Sequence, residues 1–377
     1  MSVKSNYFKL SENDFNEYLN DLKKSSNTIC LLDGKFFFNQ SIDICNMLVE
    51  LNKRIIELDF IINSFTNFSK NQIIQSFIID EIESTNKIEH IFSTKHDIFK
   101  IINDASFSKE KKIISIANAY KYLLENKEIN VKSCQDIRYI YDIVLKDAID
   151  KNDLPDGVYF RQGPVYITDG IKNIHIGIIG EENINKYMEE FVNLYNSHND
   201  IFIKMILCHF ILEYVHPFYD GNGRIGRFLF SSGLFKETKN YFSFTISSSL
   251  LHEKNKYYKA FKEANDKYEF GCLNTYVETI LKILINQTDI LIKELYLKKN
   301  QLSNFKNNFK MTKLENKIFK LISEASIFSY FGVSNEEIIK ETQVSKRTLI
   351  SALNKFKENN ILVDTKIGKF DYHKFNI

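Results

Sequence analysis

The chain has 377 residues, of which 44% are hydrophobic and 26% charged, and this balance is typical of folded globular proteins rather than disordered or fibrous ones. Its length predicts two or three domains. The formal net charge of +2 is too small to indicate a nucleic-acid or membrane partner from bulk electrostatics, so any such partner has to be argued from local residues.

The sequence predicts a cytoplasmic protein without membrane contact. No apolar run reaches the roughly 18 residues that a membrane-spanning helix needs, and the N-terminus lacks the apolar core of a secretory signal. The five cysteines are scattered and never form a Cys-x-x-Cys pair. We therefore expect reduced, mostly buried thiols and neither a disulfide framework nor a zinc site.

Residues 1–70 read as an N-terminal helical region of mixed polarity and contain no recognisable motif. Residues 72–92 predict a clearer helix, because apolar side chains recur there at a spacing of three to four residues. These side chains are Ile74, Phe77, Ile78 and Ile82. The same stripe continues to Thr85 and Glu89, which turns a carboxylate toward the protein body. Such a carboxylate should have a cationic partner.

The stretch 155–180 is the best β-hairpin candidate in the chain, because apolar and β-branched residues alternate there with glycines. We expect its turn near Thr168, Asp169 and Gly170. A helix over about 183–196 follows, and then a nearly all-apolar helix over 201–214. A helix that is apolar on most sides is typically a central one.

Between two predicted helices, residues 216–227 combine glycines with cationic and amide side chains. Gly221 and Gly223 allow a backbone that brings N–H groups close to an anion, and the helix that begins near Arg224 adds its own unpaired N–H groups. Arg224 and Arg227 lie on one face of that helix and can bind phosphate oxygens, while Asn222 adds a neutral donor. The pattern indicates a phosphate-binding loop.

Two further residues of this segment predict chemistry at the bound phosphates. Asp220 can hold a magnesium ion, which proteins usually bind through one or two carboxylates together with the phosphates of the substrate. His216 ends the apolar helix, and its ordinary pKa suits a group that accepts a proton near neutral pH.

The segment resembles the motif of the Fic family, His-x-Phe-x-Asp/Glu-Gly-Asn-Gly-Arg-x-x-Arg. It agrees at every defined position, which are His216, Phe218, Asp220, Gly221, Asn222, Gly223, Arg224 and Arg227. The resemblance extends over roughly residues 70–280. It implies a mainly α fold with a Fic-type helical core and one β-hairpin flap, and transfer of AMP from ATP to a Ser, Thr or Tyr hydroxyl of a target protein. His216 would take the hydroxyl proton, Asp220 would hold Mg²⁺, and the loop and both arginines would orient the triphosphate.

The resemblance also implies a docking flap and contacts to the nucleotide base. The part of the hairpin that resembles the target-docking flap consists of Val165, Tyr166, Ile167 and Thr168. Tyr257, Tyr258 and Asn265 resemble the residues that contact the base of the nucleotide.

A further resemblance concerns an inhibitory helix that many Fic proteins carry, with the pattern Ser/Thr-x-x-x-Glu-Gly/Asn. Thr85 and Glu89 match this pattern, whereas His90 departs from the usual Gly or Asn. The family's inhibitory glutamate pairs with the second arginine of the motif and keeps the γ-phosphate out of its productive place. We therefore expect Glu89 to bind Arg227 and to restrain the transfer.

Residues 334–341 and 345–358 predict two helices joined by a turn, and a small hairpin around Gly368 follows them. A winged helix-turn-helix fits this order. The second helix would present Ser345, Lys346, Arg347 and Thr348 at its N-terminus, where contacts to DNA are usually made. Residues 311–377 contain eleven Lys or Arg and eight Asp or Glu, a surplus of three, so contact with protein is about as well supported as contact with DNA.

Together these features divide the chain into four parts: an N-terminal helical region (1–70), a catalytic core with the inhibitory helix (71–298), a linker (299–312) and a winged-helix domain (313–377). The leading interpretation is an autoinhibited protein adenylyltransferase that uses ATP and Mg²⁺. Two alternatives stay open: a DNA-binding regulator that senses nucleotide, and a Fic enzyme that uses another donor or removes AMP. The partner would be a target protein, the chain itself or a second copy of it.

Overall fold

A computed structural model describes residues 3–103, 111–125, 127–145, 148–168, 173–305 and 309–376. Helices dominate the described part, and its β-structure is limited to small sheets of two or three strands. The elements of the N-terminal third are α1 (Val3–Tyr7), α2 (Glu12–Lys24), β1 (Thr28–Leu31), β2 (Phe36–Asn39), α3 (Ile42–Asn63), α4 (Asn67–Ile88), α5 (Lys95–Asn103) and α6 (Lys111–Leu124).

The middle of the chain forms the rest of the main helical body. Its elements are α7 (Cys134–Val144), β3 (Tyr166–Thr168), β4 (Asn173–Ile176), α8 (Glu181–Tyr195), α9 (Ile201–Val215), α10 (Asn222–Thr238), α11 (Ile246–His252), α12 (Lys254–Ala264) and α13 (Asn274–Asn304). Short 3₁₀ turns at Lys151–Asp153, Tyr241–Thr245 and Lys267–Glu269 connect them.

Helix α9 is the centre of this body, as its apolar sequence predicted. All of its residues except Ile201 and Glu213 are buried, and α8, α10 and α13 pack around it. Asp200 caps its N-terminus by accepting hydrogen bonds from the backbone N–H groups of Phe202 and Ile203. Because the helix is buried on every side, its C-terminal residue His216 is held in a fixed place.

The prediction of a purely helical N-terminal region is wrong at residues 28–39, which form the antiparallel hairpin β1–β2. Phe37 of this hairpin is fully buried, and its backbone exchanges hydrogen bonds of 2.8 Å with Gly271 and Leu273. Helix α3 packs along α13, and its apolar residues join the same core as α9. The hairpin was missed because its short apolar run fits a buried helix as well as a strand.

The helix predicted over 72–92 is α4, which begins earlier and ends sooner than expected. Thr66 caps its N-terminus, and the helix ends at Ile88. Glu89 is the first residue beyond it, and His90 then adopts a left-handed backbone with φ of 58°. A left-handed residue at this place is a common helix ending and favours Gly or Asn.

The predicted flap is present as the antiparallel pair β3–β4, in which Tyr166 lies opposite Ile176 and Ile167 opposite His175. The predicted turn around Asp169 and Gly170 lies outside the described residues. The base of the hairpin is tied to the end of α9, because the N–H of Ile178 donates to the carbonyl oxygen of Val215 at 3.0 Å.

The C-terminal elements are α14 (Lys313–Phe328), β5 (Val333–Ser334), α15 (Asn335–Thr342), α16 (Lys346–Glu358), β6 (Leu362–Ile367) and β7 (Phe370–Phe375). Their strands pair in the order β5–β7–β6, and they enclose an apolar core of their own. Helix α13 continues to Asn304, so the first residues of the predicted linker are helical. The winged-helix assignment and the exact domain boundaries stay predictions.

None of the described helices combines the length and the apolarity needed to cross a membrane. All five cysteines are free, as expected, but Cys30 and Cys45 are exposed rather than buried.

Candidate active site

His216 lies directly after α9 and has a left-handed backbone, with φ of 54° and ψ of 62°. Its N–H donates to the carbonyl oxygen of Leu212 at 2.8 Å, which closes the last turn of the helix. Nδ1 of the ring is 3.3 Å from the carbonyl oxygen of Glu213. A carbonyl oxygen can only accept, so this contact places the ring proton on Nδ1 and leaves the lone pair on Nε2. Burial lowers the pKa of His216 to about 4, so the ring is neutral at neutral pH.

Arg161, which the sequence analysis missed, fixes the backbone around His216. Its side chain is fully buried, and Nε donates to the carbonyl oxygen of His216 at 2.8 Å. Its other nitrogens donate to the carbonyl oxygens of Gly163 and Ile178 at the base of the flap. Gly177 permits this arrangement, because a Cβ there would be 2.5 Å from Nη2 of Arg161 and 3.0 Å from Cβ of His216. An arginine that bonds only to backbone carbonyl oxygens has no sequence signature, so this role could not be predicted.

The loop after His216 is braced from inside by two residues of the motif. Phe218 is fully buried and stacks on Tyr141 with ring centroids 3.7 Å apart. The Asn222 side chain accepts from the N–H of Phe218 at 2.9 Å and donates to its carbonyl oxygen at 2.8 Å. The Asn222 side chain thus bridges both backbone groups of Phe218, and its contact with a phosphate through the second N–H of the amide stays a prediction.

Two glycines shape the N-terminus of α10. Gly221 has φ of 86°, and a Cβ on it would be 2.4 Å from Leu145. A Cβ on Gly223 would be 2.0 Å from Oε1 of Glu89, so only glycine lets that carboxylate rest on the first turn of the helix. Helix N-termini attract anions through their unpaired N–H groups and the helix dipole. A carboxylate thus occupies the place that the sequence assigned to phosphate.

Asp220 and Arg224 lie together at the mouth of this loop. Oδ2 of Asp220 is 2.9 Å from Nη2 of Arg224, and Oδ1 accepts from the N–H of Gly221 at 2.6 Å. The Asp220 side chain is 48% exposed, whereas that of Arg224 is only 3% exposed. Nε of Arg224 is buried and has no hydrogen-bond partner within the described residues. The site therefore offers one accessible carboxylate and one unused buried donor.

Arg227 makes the contact with Glu89 that the sequence predicted. Its Nη2 is 2.7 Å from Oε1 of Glu89, and its Nε donates to the Thr85 hydroxyl at 2.9 Å. The Arg227 side chain is 2% exposed and that of Glu89 is 33% exposed. Burial alone would raise the pKa of Glu89, but the charge of Arg227 and its hydrogen bond outweigh burial and lower that pKa below its ordinary value. Thr85 and Glu89 together bind most of one guanidinium.

Glu213 is a second acid beside Arg227 that the sequence analysis did not single out. Its Oε1 is buried and lacks a hydrogen-bond partner among the described residues, and it lies 4.0 Å from Nδ1 of His209. Burial raises the pKa of Glu213 to about 7. The sequence does indicate Glu213, because it is the only acidic residue in the apolar helix α9.

The residues expected to contact the nucleotide base are only partly brought to the site. Tyr257 is buried, and its hydroxyl bonds to Nε2 of His209 at 2.9 Å. Tyr258 is 46% exposed, and burial of its hydroxyl and, to a smaller extent, the Glu89 carboxylate raise its pKa. Asn265 directly follows α12, eight residues after Tyr257, and its amide donates to the carbonyl oxygen of Phe261 at 2.9 Å.

The flap lies beside His216, and because its sheet has two strands, each strand keeps one edge that no other strand pairs within the described residues. The N–H of Gly177 donates to the carbonyl oxygen of Val165 at 3.1 Å, which starts the pairing of the two strands. Tyr166 is 54% exposed and Ile176 is 49% exposed, while Val165 and Ile167 are half-buried. Thr168 is the last residue of β3, and only its backbone belongs to the described part of the structure.

Across the described residues, no three His, Cys, Asp or Glu side chains come close enough to form a metal site from protein groups alone. A magnesium ion bound with a nucleotide needs fewer protein ligands, because phosphates and water supply the rest. The Asp220 carboxylate fits that role, since it lies at the N-terminus of α10 and its side chain is 48% exposed.

Residues 132–234 match the Fic/DOC family. The chain carries a Fic domain. This domain spans α7 to α10 and includes the flap, His216, the loop and both arginines.

Known proteins resemble parts of this chain. Protein adenylyltransferase Fic from Drosophila yakuba is 27% identical over 176 residues, which cover 44% of this chain and 31% of that protein. The chain thus matches about a third of the length of that curated relative. A Fic family protein from Desulfovibrio desulfuricans has a similar fold, with a TM-score of 0.55 and 16% identity over 90% of this chain and 97% of that one. The mainly α Fic fold expected from the sequence is therefore confirmed.

Proposed function

We propose that this Fic protein transfers AMP from ATP to a hydroxyl group of a target protein, and that Glu89 restrains the transfer. One observation carries the proposal. A neutral histidine lies beside a helix N-terminus at which a buried arginine already binds an anion, the Glu89 carboxylate. A base and an anion site in that arrangement suit phosphoryl transfer, in which positioning and charge stabilisation provide most of the catalysis.

The state of His216 supports its role as the base. With the proton held on Nδ1 by the carbonyl oxygen of Glu213, Nε2 can accept the proton of the target hydroxyl. The hydroxyl oxygen then forms a bond to the α-phosphorus of ATP, the bond from that phosphorus to the bridging oxygen breaks, and pyrophosphate leaves. The proton on His216 afterwards passes to solvent. Arg161 keeps the ring in place by holding the carbonyl oxygen of His216.

The N-terminus of α10 supports the binding of the triphosphate. Its backbone N–H groups, together with Arg224 and Arg227, provide positive potential where the leaving pyrophosphate gains charge. The unused Nε of Arg224 gives this site one more donor. Asp220 would hold a Mg²⁺ ion that enters with ATP and neutralises phosphate charge. Tyr257, Tyr258 and Asn265 would contact the base of the nucleotide.

The inhibitory role of Glu89 follows from competition for one guanidinium. While Arg227 is bonded to Thr85 and Glu89, little of it is left for the γ-phosphate. The carboxylate also lies on the first turn of α10, where phosphate oxygens would approach. While Glu89 stays bonded to Arg227, ATP would have to bind with its phosphates shifted away from the N-terminus of α10.

The flap supports docking of a target as an additional strand. Tyr166 on β3 and Ile176 on β4 present exposed apolar surface next to His216. Backbone hydrogen bonds to such an edge hold an extended segment of almost any sequence, so its hydroxyl is brought to the base without a specific motif.

The decisive experiment compares wild type, Glu89→Gly and Glu89→Gly/His216→Ala by intact mass after incubation with ATP and Mg²⁺, alone and with cell lysate. Glu89→Gly should gain one AMP per modified site on itself or on lysate proteins, and the double variant should gain none. Labelling by the double variant at the rate of Glu89→Gly would contradict the base assignment. Repeating the reaction with GTP, CTP and UTP, and with AMP-modified product alone, tests the other donors and the removal of AMP.

We also propose that the C-terminal elements form a winged helix that binds duplex DNA or another protein. The order helix, strand, two helices and two strands supports this, as does the exposure of Ser345, Lys346 and Arg347 at the start of α16. Thr348 is half-buried, so three residues rather than four are presented. DNA binding whose affinity falls steeply with salt, combined with absence of AMP transfer by Glu89→Gly, would favour a nucleotide-sensing regulator over an enzyme.

A further inference from the structure

The C-terminal elements α14 to β7 contact the helix that carries the proposed brake. Phe68, near the start of α4, belongs to the apolar core of the C-terminal elements rather than to the main core. One turn of the helix is also held by polar contacts, because the hydroxyls of Thr66 and Ser69 both donate to Glu324 of α14. The Ser69 hydroxyl is fully buried and 2.8 Å from the carboxylate oxygen.

A second set of contacts lies farther along α4. The Ser76 hydroxyl donates to the carbonyl oxygen of Phe328 at 3.0 Å. Asp80 accepts from the hydroxyl of Tyr330, which is 2.7 Å from Oδ1 and 2.6 Å from Oδ2. Lys95, the first residue of α5, donates to the same Tyr330 oxygen at 2.8 Å and pairs with Asp80 at 2.6 Å.

These three residues, Asp80, Lys95 and Tyr330, form what we call the clasp. Asp80 precedes Thr85 and Glu89 in the chain, and Lys95 follows them. The single hydroxyl of Tyr330 therefore joins the two ends of the segment 81–94, which contains both residues that bind Arg227. Residues 81–88 of this segment are the last turns of α4, so the contact restricts chiefly residues 89–94, the connection between that helix and Lys95.

Apolar packing beside Tyr330 supports the clasp. Phe331, the neighbour of Tyr330, packs on Phe99 of α5 with ring centroids 4.6 Å apart, and Tyr372 of β7 packs on the same ring at 5.3 Å. Within the segment, the amide of Asn86 donates to the Ser93 hydroxyl at 3.1 Å. The N–H of Ile91 also donates to the carbonyl oxygen of Asn86 at 2.9 Å, so the segment that carries Glu89 is held by the C-terminal elements at its ends and by hydrogen bonds within it.

We propose that the C-terminal domain is part of the brake, because the clasp keeps residues 81–94 in the conformation in which Glu89 binds Arg227. The proposal rests on the inhibitory role of Glu89 proposed above. A partner that draws the C-terminal domain away from α4 would open the clasp, let Glu89 leave the N-terminus of α10 and so admit the γ-phosphate. Coupling of this kind requires only that the segment 81–94 has two conformations, and that the C-terminal domain and the nucleotide site both shift the equilibrium between them.

The test uses the full chain with Tyr330→Phe, which removes the hydroxyl and keeps the ring. Tyr296→Phe is the matched control, because Tyr296 is 44% exposed on α13 and lies outside the clasp. Two quantities are measured: AMP incorporation from labelled ATP, and hydrogen exchange of the backbone amides of residues 85–89. We expect Tyr330→Phe to raise both about three- to tenfold, since the lost bonds involve charged but partly exposed groups. Lys95→Gln should act in the same direction.

Combination with Glu89→Gly separates this proposal from the proposed function. If the clasp acts through Glu89, Tyr330→Phe adds no further labelling in the Glu89→Gly background. Active Glu89→Gly together with unchanged labelling and exchange in Tyr330→Phe would overturn the clasp and leave the transferase intact. Inactive Glu89→Gly with faster exchange in Tyr330→Phe would keep the clasp and reject the transferase. An additive effect of the two changes would also overturn the clasp, because it would then act elsewhere.

Discussion

Replacement of Glu89 tests the competition for Arg227 quantitatively. The guanidinium is 2% exposed, and the bond from Nη2 to the carboxylate is 2.7 Å long. A hydrogen bond between charged groups contributes about 1.5–3 kcal/mol, and the 33% exposure of Glu89 places this one toward the lower end, near 2 kcal/mol. At about 1.4 kcal/mol per factor of ten, Glu89→Gly should raise the rate of AMP transfer at subsaturating ATP about 30-fold.

The matched variant Glu89→Gln keeps a neutral acceptor of the same shape. It should retain about half of the interaction energy and raise the rate only about fivefold. The assay is the initial rate of labelled AMP incorporation at several ATP concentrations. Both variants also leave Arg227 without its carboxylate, so their melting temperatures should fall, with Glu89→Gly the lower of the two. Equal rates for wild type and both variants would refute the reasoning, because Arg227 would then be available to ATP without removal of the carboxylate.

Four other predictions follow from the site. Burial lowers the pKa of His216 to about 4, so transfer by Glu89→Gly should change by less than about twofold between pH 6 and 8, whereas a base with the ordinary pKa would give about a fourfold rise. His90→Gly removes the strain of a left-handed non-glycine residue and should raise the free energy of unfolding by about 1 kcal/mol in chemical denaturation, with lower basal labelling. Arg161→Lys cannot reproduce the hydrogen bonds to several carbonyl oxygens, so it should lower the melting temperature and the rate of transfer while leaving ATP affinity within about threefold of wild type; unchanged rates would exclude Arg161 from positioning His216. Burial raises the pKa of Glu213 from 4.5 to about 7 in the folded state, so the folded protein loses stability as pH rises from 4.5 to 7 and little more above that. Glu213→Gln should therefore stabilise the protein by up to about 3 kcal/mol at pH 8 and by little at pH 5 in denaturant titrations.

The main helices could be predicted because their patterns are long and regular. Helix α9 was placed within about one residue, since fifteen mostly apolar residues allow few other structures. The hairpin β1–β2 was missed because its strands have four residues each and its burial depends on contacts with Gly271 and Leu273, far away in the sequence. Local patterns contain no information about such distant partners.

The candidate site divides in the same way. Residues within the motif and the pair Glu89–Arg227 could be predicted. The resemblance to the Fic family's inhibitory helix gave the pairing, and the apolar stripe on α4 gave the direction of the Glu89 side chain. The bonds of Asn222 to the backbone of Phe218 could not be predicted. An amide can bond an anion or a backbone equally well, and only the position of Phe218 decides between them. Arg161 and the clasp residues depend on which elements meet in space, so neither left a signal in the sequence.

Glu89 and the phosphates of ATP compete for the same helix N-terminus, but Glu89 is part of the chain whereas ATP binds from solution. The carboxylate is tethered next to Gly223, so its effective concentration at the site is in the millimolar range or above for a short segment, and higher when the segment is held rigid. ATP therefore has to compete with a ligand that is already in place, and the factor of about 30 expected for Glu89→Gly is the cost of that competition. A change in the segment 81–94 itself would lower this cost. The contacts of Tyr330 with Asp80 and Lys95 lie at the ends of that segment, where a small displacement of the C-terminal domain would lower the effective concentration of Glu89 without altering a single residue of the Fic motif.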